Sequence, residues 1–400
     1  MKIRKYSTTL VITIFWVCSG FSQQSYNLNE CIQIAFENKK ILRSAQIDVQ
    51  SAKKGVAGSK SGYLPSINMT ANSGRTQFPE LNSVTYDFSD FSSDTTQLDH
   101  TNNMSAGLSV NQNIYNGGRT RNTVKQAKSN LAIATLNQRQ TKIQVIQNVV
   151  KSYYGLLQAQ ELLDVAENNL ELSNQQVSLV IQQFDLGAVR KTDLLKAEVA
   201  KGQGRVDVLN RKTALNNARR QLFNHMGMMD FGQSINAVSD KWSGTIVPSS
   251  SEALRLLKTK NPSLLIQKKR ITLNELQIQL TKGLRLPSVG ASMNYSAVGE
   301  DSETLMDSFK DDWRLGMNIS LSVPIYSGNS ISIQKQQAHL ALQKSNNNYI
   351  TLLNDLKVQV ELIRNSLENY SEIIPINLDV VVSAEEDLKL AKERYSLGSA

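Results

Sequence analysis

The chain is 400 residues long, with 44 Lys and Arg against 35 Asp and Glu, 40% apolar residues, 6% aromatics and 7 prolines. That length fits two or three globular domains or one elongated molecule, and so few aromatics and prolines exclude a large compact β-sandwich or a proline-rich tail. No mature segment holds ~20 uninterrupted apolar residues, which excludes a helical membrane span but leaves room for membrane strands, whose signal is weaker per segment.

Residues 1–22 read as a secretory signal peptide. Lys2, Arg4 and Lys5 form a basic start, Thr8 to Cys18 an apolar stretch, and Gly20 and Ser22 a small-residue cleavage pattern before Gln23. Val17 is a poor residue to precede a lipidated cysteine, which disfavours lipidation at Cys18. Loss of the signal lowers the formal charge from +9 to +6, an ordinary solvated surface that gives no support to a nucleic-acid partner. Cys31 is then the one cysteine left, on a helical pattern, and reads as a small packed residue rather than a reactive thiol.

An internal repeat organises the mature chain. The segment from Glu30-Cys31-Ile32 to Leu64-Pro65-Ser66 returns as Glu252-Ala253-Leu254 to Leu286-Pro287-Ser288, at a constant offset of 222 residues. Ile114-Tyr115-Asn116-Gly117 returns as Ile325-Tyr326-Ser327-Gly328, and Phe184-Asp185-Leu186-Gly187 as Tyr395-Ser396-Leu397-Gly398, both at an offset of 211. Equal spacing between the last two motifs implies a rigid element of fixed length. The 11-residue difference between the offsets falls between Pro65 and Tyr115, which marks that stretch as a loop free to vary.

Each copy reads helix, strand, loop, strand, long helix. In copy two Val289, Ala291, Met293 and Tyr295 alternate with Ser288, Gly290, Ser292 and Asn294, and Leu315, Met317, Ile319 and Leu321 alternate with Gly316, Asn318, Ser320 and Ser322. Copy one repeats the pattern with Ile67, Met69 and Ala71, then Ala106, Leu108 and Val110. Period two with small polar residues opposite is the pattern of a transmembrane barrel strand. A half-buried soluble sheet shares it, but two such hairpins behind a signal peptide, with no matching apolar helix face, favour the barrel. Four strands cannot close a membrane barrel, so several copies must share one.

Residues 119–184 hold no proline and one glycine, Gly155, which predicts a helix of roughly 100 Å. Ile146, Val149, Tyr153, Leu156, Leu163, Leu170, Val177, Ile181 and Phe184 form its seam, interrupted by Gln160, Glu167 and Asn174. Gly187 marks the reversal of a helical hairpin. In copy two Pro375 predicts a kink or break near residues 371–374. Copy one continues past Gly187 with a returning helix, whereas the sequence stops two residues after Gly398 and so reads as a fragment.

The expected layout is a signal peptide at 1–22, a first repeat at 23–250 and a second at 251–400. The first holds strands at about 66–74 and 104–115, a helical hairpin at about 119–226 and an equatorial segment at 227–250. The second holds strands at about 288–297 and 313–326 and a helix at about 330–397.

No enzymatic constellation emerges. Gly55-Val56-Ala57-Gly58-Ser59-Lys60-Ser61 lacks the glycine before lysine of a P-loop, and Gly202 with Gly204 lacks the third glycine of a dinucleotide site. His100, His225 and His339 are scattered, which argues against a metal centre, and no cofactor is implied.

The duplicated unit resembles the TolC-like outer membrane efflux proteins. The resemblance rests on Glu252 to Leu257 with Asn261-Pro262, the two Leu-Pro pairs, Val323-Pro324-Ile325-Tyr326-Ser327-Gly328, and the hairpin ends at Gly187 and Gly398. Copy one departs by having Lys39-Lys40 where Asn261-Pro262 stands, and the end of the sequence departs by lacking a C-terminal helix. The resemblance implies a mainly α chain with transmembrane β. Three copies, four strands each, would form a 12-stranded β-barrel on an α-helical periplasmic tube. It implies an outer-membrane channel of a tripartite efflux or type I secretion system, with a periplasmic adaptor (membrane fusion) protein and an inner-membrane RND, ABC or MFS transporter as partners, outer-membrane lipid around the barrel, and no chemical step. By the same resemblance Phe184, Gly187, Ala188, Thr192, Asp193, Tyr395 and Gly398 are the periplasmic tip, gate and adaptor contact, with Asp193 and Tyr395 as a pair closing it. Asn294, Asn318, Ser320 and Ser322 are expected in the barrel lumen. The competing classes are a structural coiled-coil envelope protein without channel activity and an outer-membrane enzyme with a helical extension.

Overall fold

The computed structural model describes residues 24–87, 92–229, 235–238 and 247–396, with side chains for all of these except 24–25, 80–99, 235 and 395–396. The signal peptide, Cys18, Gly398 and most of the segment 227–250 therefore lie outside the described residues, as does the side chain of Tyr395. The chain divides into two units, Met1–Ser44 with Thr141–Gly244, and Ala45–Gln140 with Thr245–Ala400. Among the described residues no helix is long and apolar enough to cross a membrane.

The first unit is built on α3 (Arg119–Asp185) from Thr141 onward and α4 (Lys191–Met226), with α1 (Leu28–Asn38) against them; the start of α3 and all but the first turn of α2 (Lys40–Lys60) are counted with the second. Asn27 starts α1: its Oδ1 accepts the Glu30 N–H, and its own N–H donates to the Glu30 carboxylate, both at 2.9 Å. Cys31 and Ala35, four apart, then face the core formed by Val145, Val149, Tyr153 and Leu156 of α3 and Leu215, Leu222, Phe223 and Met226 of α4. Burial pushes the Cys31 thiol up to about 11, with the Glu30 carboxylate adding to the rise, so it is a core residue and not a nucleophile.

The seam of α3 differs from expectation at both ends. Val145 is buried in place of Ile146, and Val180 in place of Ile181, which is 40% exposed. A helix of 3.6 residues per turn drifts against a 3.5-residue pattern, so a long seam migrates around it. Two polar interruptions have partners: Glu167 meets Lys212 at 3.0 Å, and Gln160 Oε1 accepts the Ala237 N–H at 2.9 Å.

Ala237 belongs to an element absent from the sequence reading, a parallel pair of β1 (Gln24–Tyr26) and β4 (Ile235–Ala237). Tyr153 holds it. Its hydroxyl lies 2.8 Å from the Val238 carbonyl and 3.1 Å from the Tyr26 carbonyl, and it accepts the Val238 N–H at 3.0 Å. Arg219 of α4 adds a bond to Asn236 Oδ1 at 3.0 Å.

The second unit contains a four-stranded antiparallel sheet in the order β2-β3-β5-β6, from β2 (Ser66–Asp87), β3 (Ser92–Asn116), β5 (Ser288–Gly299) and β6 (Arg314–Ser322). Its helices are α5 (Ser250–Lys260), α6 (Pro262–Gly283), α7 (Ser302–Ser308) and α8 (Ser330–Ser396). Leu264 and Ile278 of α6 and Ala338 of α8 are buried, and Gln267 donates to the Ser345 carbonyl at 3.2 Å. The Asn261-Pro262 pair caps α6, with Pro262 at its first position and Asn261 Oδ1 accepting the Leu264 N–H. Lys39 breaks α1 from α2 with nearly the same backbone (φ −68°, ψ 107° against −69°, 120° at Asn261), so the departure in copy one leaves the joint intact.

Four boundaries are corrected. The variable segment in copy one is not a loop: β2 and β3 run on as a paired ribbon to Asp87↔Ser92, interrupted only by a register shift between Gln77 and Leu81, where Pro79 cannot donate to the ladder. In copy two α7 occupies the corresponding connection. β6 ends at Ser322 and not at 326, because Pro324 lacks the N–H an edge strand would present. Finally, α8 continues through Pro375 to Ser396 without a break. A proline removes one ladder bond, here that to the Ser371 carbonyl, and the hydrogen bonds of the turns on either side carry the helix past it.

Candidate functional site: the four-stranded sheet and the helical tip

The register of the sheet sorts its residues onto two faces. On one, Ile67 stands opposite Val110, which stands opposite Met293 and then Met317. The next rung is Met69, Leu108, Tyr295 and Leu315. On the other face the rungs are Ser66, Asn111, Ser292 and Asn318, then Asn68, Ser109, Asn294 and Gly316. Ser320 pairs with Gly290 and Ser322 with Ser288. The four residues expected in the lumen, Asn294, Asn318, Ser320 and Ser322, thus share one face of small polar side chains.

The opposite face is apolar and, away from the end covered by α7, bare: Met317 is 74% and Ile319 75% exposed. A soluble sheet would cover such a face, because a contiguous exposed apolar patch is costly in water. The nine residues of β6 span ~30 Å along the strand and, at a tilt of about 40°, ~23 Å of depth, close to the apolar band of an outer-membrane barrel. Aromatic residues stand at the end of this band. Tyr295 packs against Phe309 (5.9 Å between centroids) and Trp313 (5.7 Å), and its hydroxyl donates to the Phe309 carbonyl at 3.3 Å.

Both outer edges of the sheet, on β2 and β6, lack a partner strand among the described residues. Each copy leaves its second strand through a similar turn. Gly117 and Gly118 have φ of +67° and +75°, and Gly328 and Asn329 have +59° and +66°. At Gly117 a Cβ would stand 2.3 Å from the Gly283 carbonyl oxygen, so the Tyr-Asn-Gly motif marks a close backbone approach as well as a left-handed turn.

At the hairpin tip α3 ends at Asp185 and Gly187 turns the chain with φ +74°. The Gly187 N–H donates to the Phe184 carbonyl at 2.9 Å and the Ala188 N–H to the Gln183 carbonyl at 2.8 Å. Asp193 accepts the Arg190 N–H at 3.3 Å and lies 4.0 Å from Lys196 Nζ, which makes it first a cap of α4. A shallow groove beside it is lined by Leu172, Val180, Asp193 and Lys196. Phe184, Gly187, Ala188, Thr192 and Asp193 all lie at or beside this turn. The pairing of Asp193 with Tyr395 rests on a side chain outside the described residues.

Sequence reasoning missed the β1–β4 pair, α7 and the Tyr295–Phe309–Trp313 cluster. For α7 a signal existed. Asp301 caps it by accepting the Glu303 and Thr304 N–H groups at 3.1 and 2.8 Å, a start signature legible in Asp301-Ser302-Glu303-Thr304. Three-residue strands such as β1 carry no period to detect.

A two-faced, open-edged sheet combined with helices of 67 residues defines an outer-membrane channel protein with a helical extension. The model of the family described as outer membrane efflux protein matches residues 31–228. The outer membrane protein TolC of Escherichia coli is 24% identical over 98% of this chain and 78% of its own length. The outer membrane efflux protein BepC of Brucella suis is 22% identical over 96% and 78%. The crystal structure of the CmeC outer membrane channel of Campylobacter jejuni matches 93% of this chain and 77% of its own, with a TM-score of 0.75 at 20% identity. Residues 31–228 carry the match to the outer membrane efflux protein family, and the likeness to these relatives and to the CmeC structure extends over more than nine-tenths of the chain.

Proposed function

We propose that this chain forms the outer-membrane channel of an efflux or type I secretion system, a passive exit duct for substrates delivered by an inner-membrane transporter of the RND, ABC or MFS kind. The observation that carries the reading is the sheet: one bare apolar face, one small polar face, and two open edges. An open edge cannot face lipid, so the edge of β2 in one copy pairs with β6 of the next until the barrel closes. Three copies give 12 strands, with the apolar face against lipid and the polar face around water. Asn294, Asn318, Ser320 and Ser322 then line the lumen. Their short side chains keep the duct wide, and their hydroxyls and amides hold water without binding any one solute tightly.

The tip residues Phe184, Gly187, Ala188, Thr192 and Asp193, with Tyr395 and Gly398, form the contact for a periplasmic adaptor protein and close the duct at rest. No bond is made or broken in transport, so the driving energy comes from the transporter. Purified protein added to a planar lipid bilayer should give discrete conductance steps, and cross-linking should give a trimer. A trimer that never conducts would leave the chain as a structural envelope stalk.

A further inference from the structure

The part of the sheet in which β3 and β5 are paired carries a single charged residue. Residues 66–74 and 104–116, Ser288–Gly299 and Arg314–Ser322 are neutral but for Arg314. Its partner in the ladder is Ser296, and the rung continues through Gly107 to Thr70, which sets Arg314 on the polar face. Trp313, one residue earlier, lies against Tyr295 on the opposite face, as alternation requires. Gly107 has no side chain to screen the guanidinium, and Arg314 has no ion-pair partner among the described residues.

The carboxylates of the neighbouring loop, Glu300, Asp301, Glu303 and Asp307, belong to or flank α7, and α7 sits on the other face. A Cβ on Gly299, which alternation directs to the apolar side, would come within 2.3 Å of the Leu305 nitrogen, and Ala297 on that side is completely buried. Asp307 is also held by Lys310 at 2.9 Å. Asp311 and Asp312 follow in the turn that leads into β6 and are the acidic groups nearest to Arg314 in the chain.

We propose that Arg314 sets the ionic selectivity of the barrel, as a ring of three guanidinium groups on the polar face of this otherwise neutral four-strand region that biases the exit toward anionic solutes. The inference rests on the channel reading above. The screening length is ~10 Å at 0.1 M salt, so a ring of like charge with low-dielectric walls behind it shapes ion entry at and below that concentration.

The test is the reversal potential of the protein in a planar bilayer under a tenfold KCl gradient, with the dilute side at or below ~0.1 M. The chloride-to-potassium permeability ratio should fall about twofold in Arg314→Gln and further in Arg314→Glu, and should be kept in Arg314→Lys. Arg75→Gln, which removes a charge from the opposite face of β2, should leave it unchanged. If Arg314→Gln fails to insert, Ser296→Asp reads the same field by placing a negative charge on the same rung, and should lower the ratio. Equal ratios across all conducting variants would overturn the role of Arg314, whereas wild-type protein that inserts without conducting would overturn the channel reading instead.

Discussion

Tyr153 offers the sharpest test of how the helical hairpin holds the small parallel sheet. Its ring is 2% exposed in the core between α3 and α4, while its hydroxyl serves the backbone of both strands. Tyr153→Phe keeps the ring and removes the hydroxyl, leaving the Val238 N–H and the Tyr26 and Val238 carbonyls without that partner. For a part-buried site the cost is about 1–2 kcal/mol, equivalent to roughly a five- to thirtyfold easier local opening. Amide hydrogen exchange at Val238 should quicken by that factor, while exchange in the middle of α3 and α4 stays unchanged, because their packing is untouched. Tyr153→Ala should cost ~3–5 kcal/mol and destabilise the hairpin as a whole. Unchanged exchange at Val238 in Tyr153→Phe would refute the claim that this hydroxyl pins the sheet.

Gly117→Ala should reduce folding yield sharply, since its Cβ would meet the Gly283 oxygen; Gly118→Ala has a similar φ but open space around it and should cost only ~1 kcal/mol, with thermal melting of the two variants as the comparison. The Cys31 thiol should resist alkylation at pH 8 in folded protein and react once the chain is unfolded. Because its folded pKa is raised from 9.0 to about 11, the stability it contributes is complete below pH 9 and is lost as pH rises toward 11, which denaturant titrations at pH 8 and 10.5 would reveal. Met317→Arg should impair membrane insertion, at ~2–4 kcal/mol for a midplane site, whereas Asn318→Arg should insert normally, as judged by the amount of protein in isolated outer membranes.

The alternation of β5 and β6 was readable because each side chain meets one of two contrasting surroundings, and period two survives wherever that contrast holds. The helical hairpin was equally legible, since its seam and Gly187 are local signals. What escaped depends on contacts distant in sequence. Gln160 looks like a defect in an apolar seam until Ala237, 77 residues away, supplies its partner. The β2–β3 ribbon looked like a loop because beyond Gly74 the sequence loses its steady alternation of apolar and polar residues, whereas the backbone pairing from Arg75↔Asn102 to Asp87↔Ser92 needs no such pattern. Pro375 misled in the opposite direction, since a local rule for helix breaking yields to the ladder bonds of a 67-residue helix. At the tip, chain reversal could be read from Gly187, but the role of Asp193 as a helix cap could not be separated from its expected role in the gate.

The central claim is that the polar face of the sheet encloses water while the apolar face meets lipid. Single cysteines at 316 to 322 along β6, probed in intact outer membranes with a water-soluble maleimide, test it most directly, with Cys31 as an unreactive internal control. The account predicts labelling of Asn318→Cys, Ser320→Cys and Ser322→Cys and protection of Met317→Cys, Ile319→Cys and Leu321→Cys. Labelling of positions 317 and 319 with protection of 318 and 320 would contradict it.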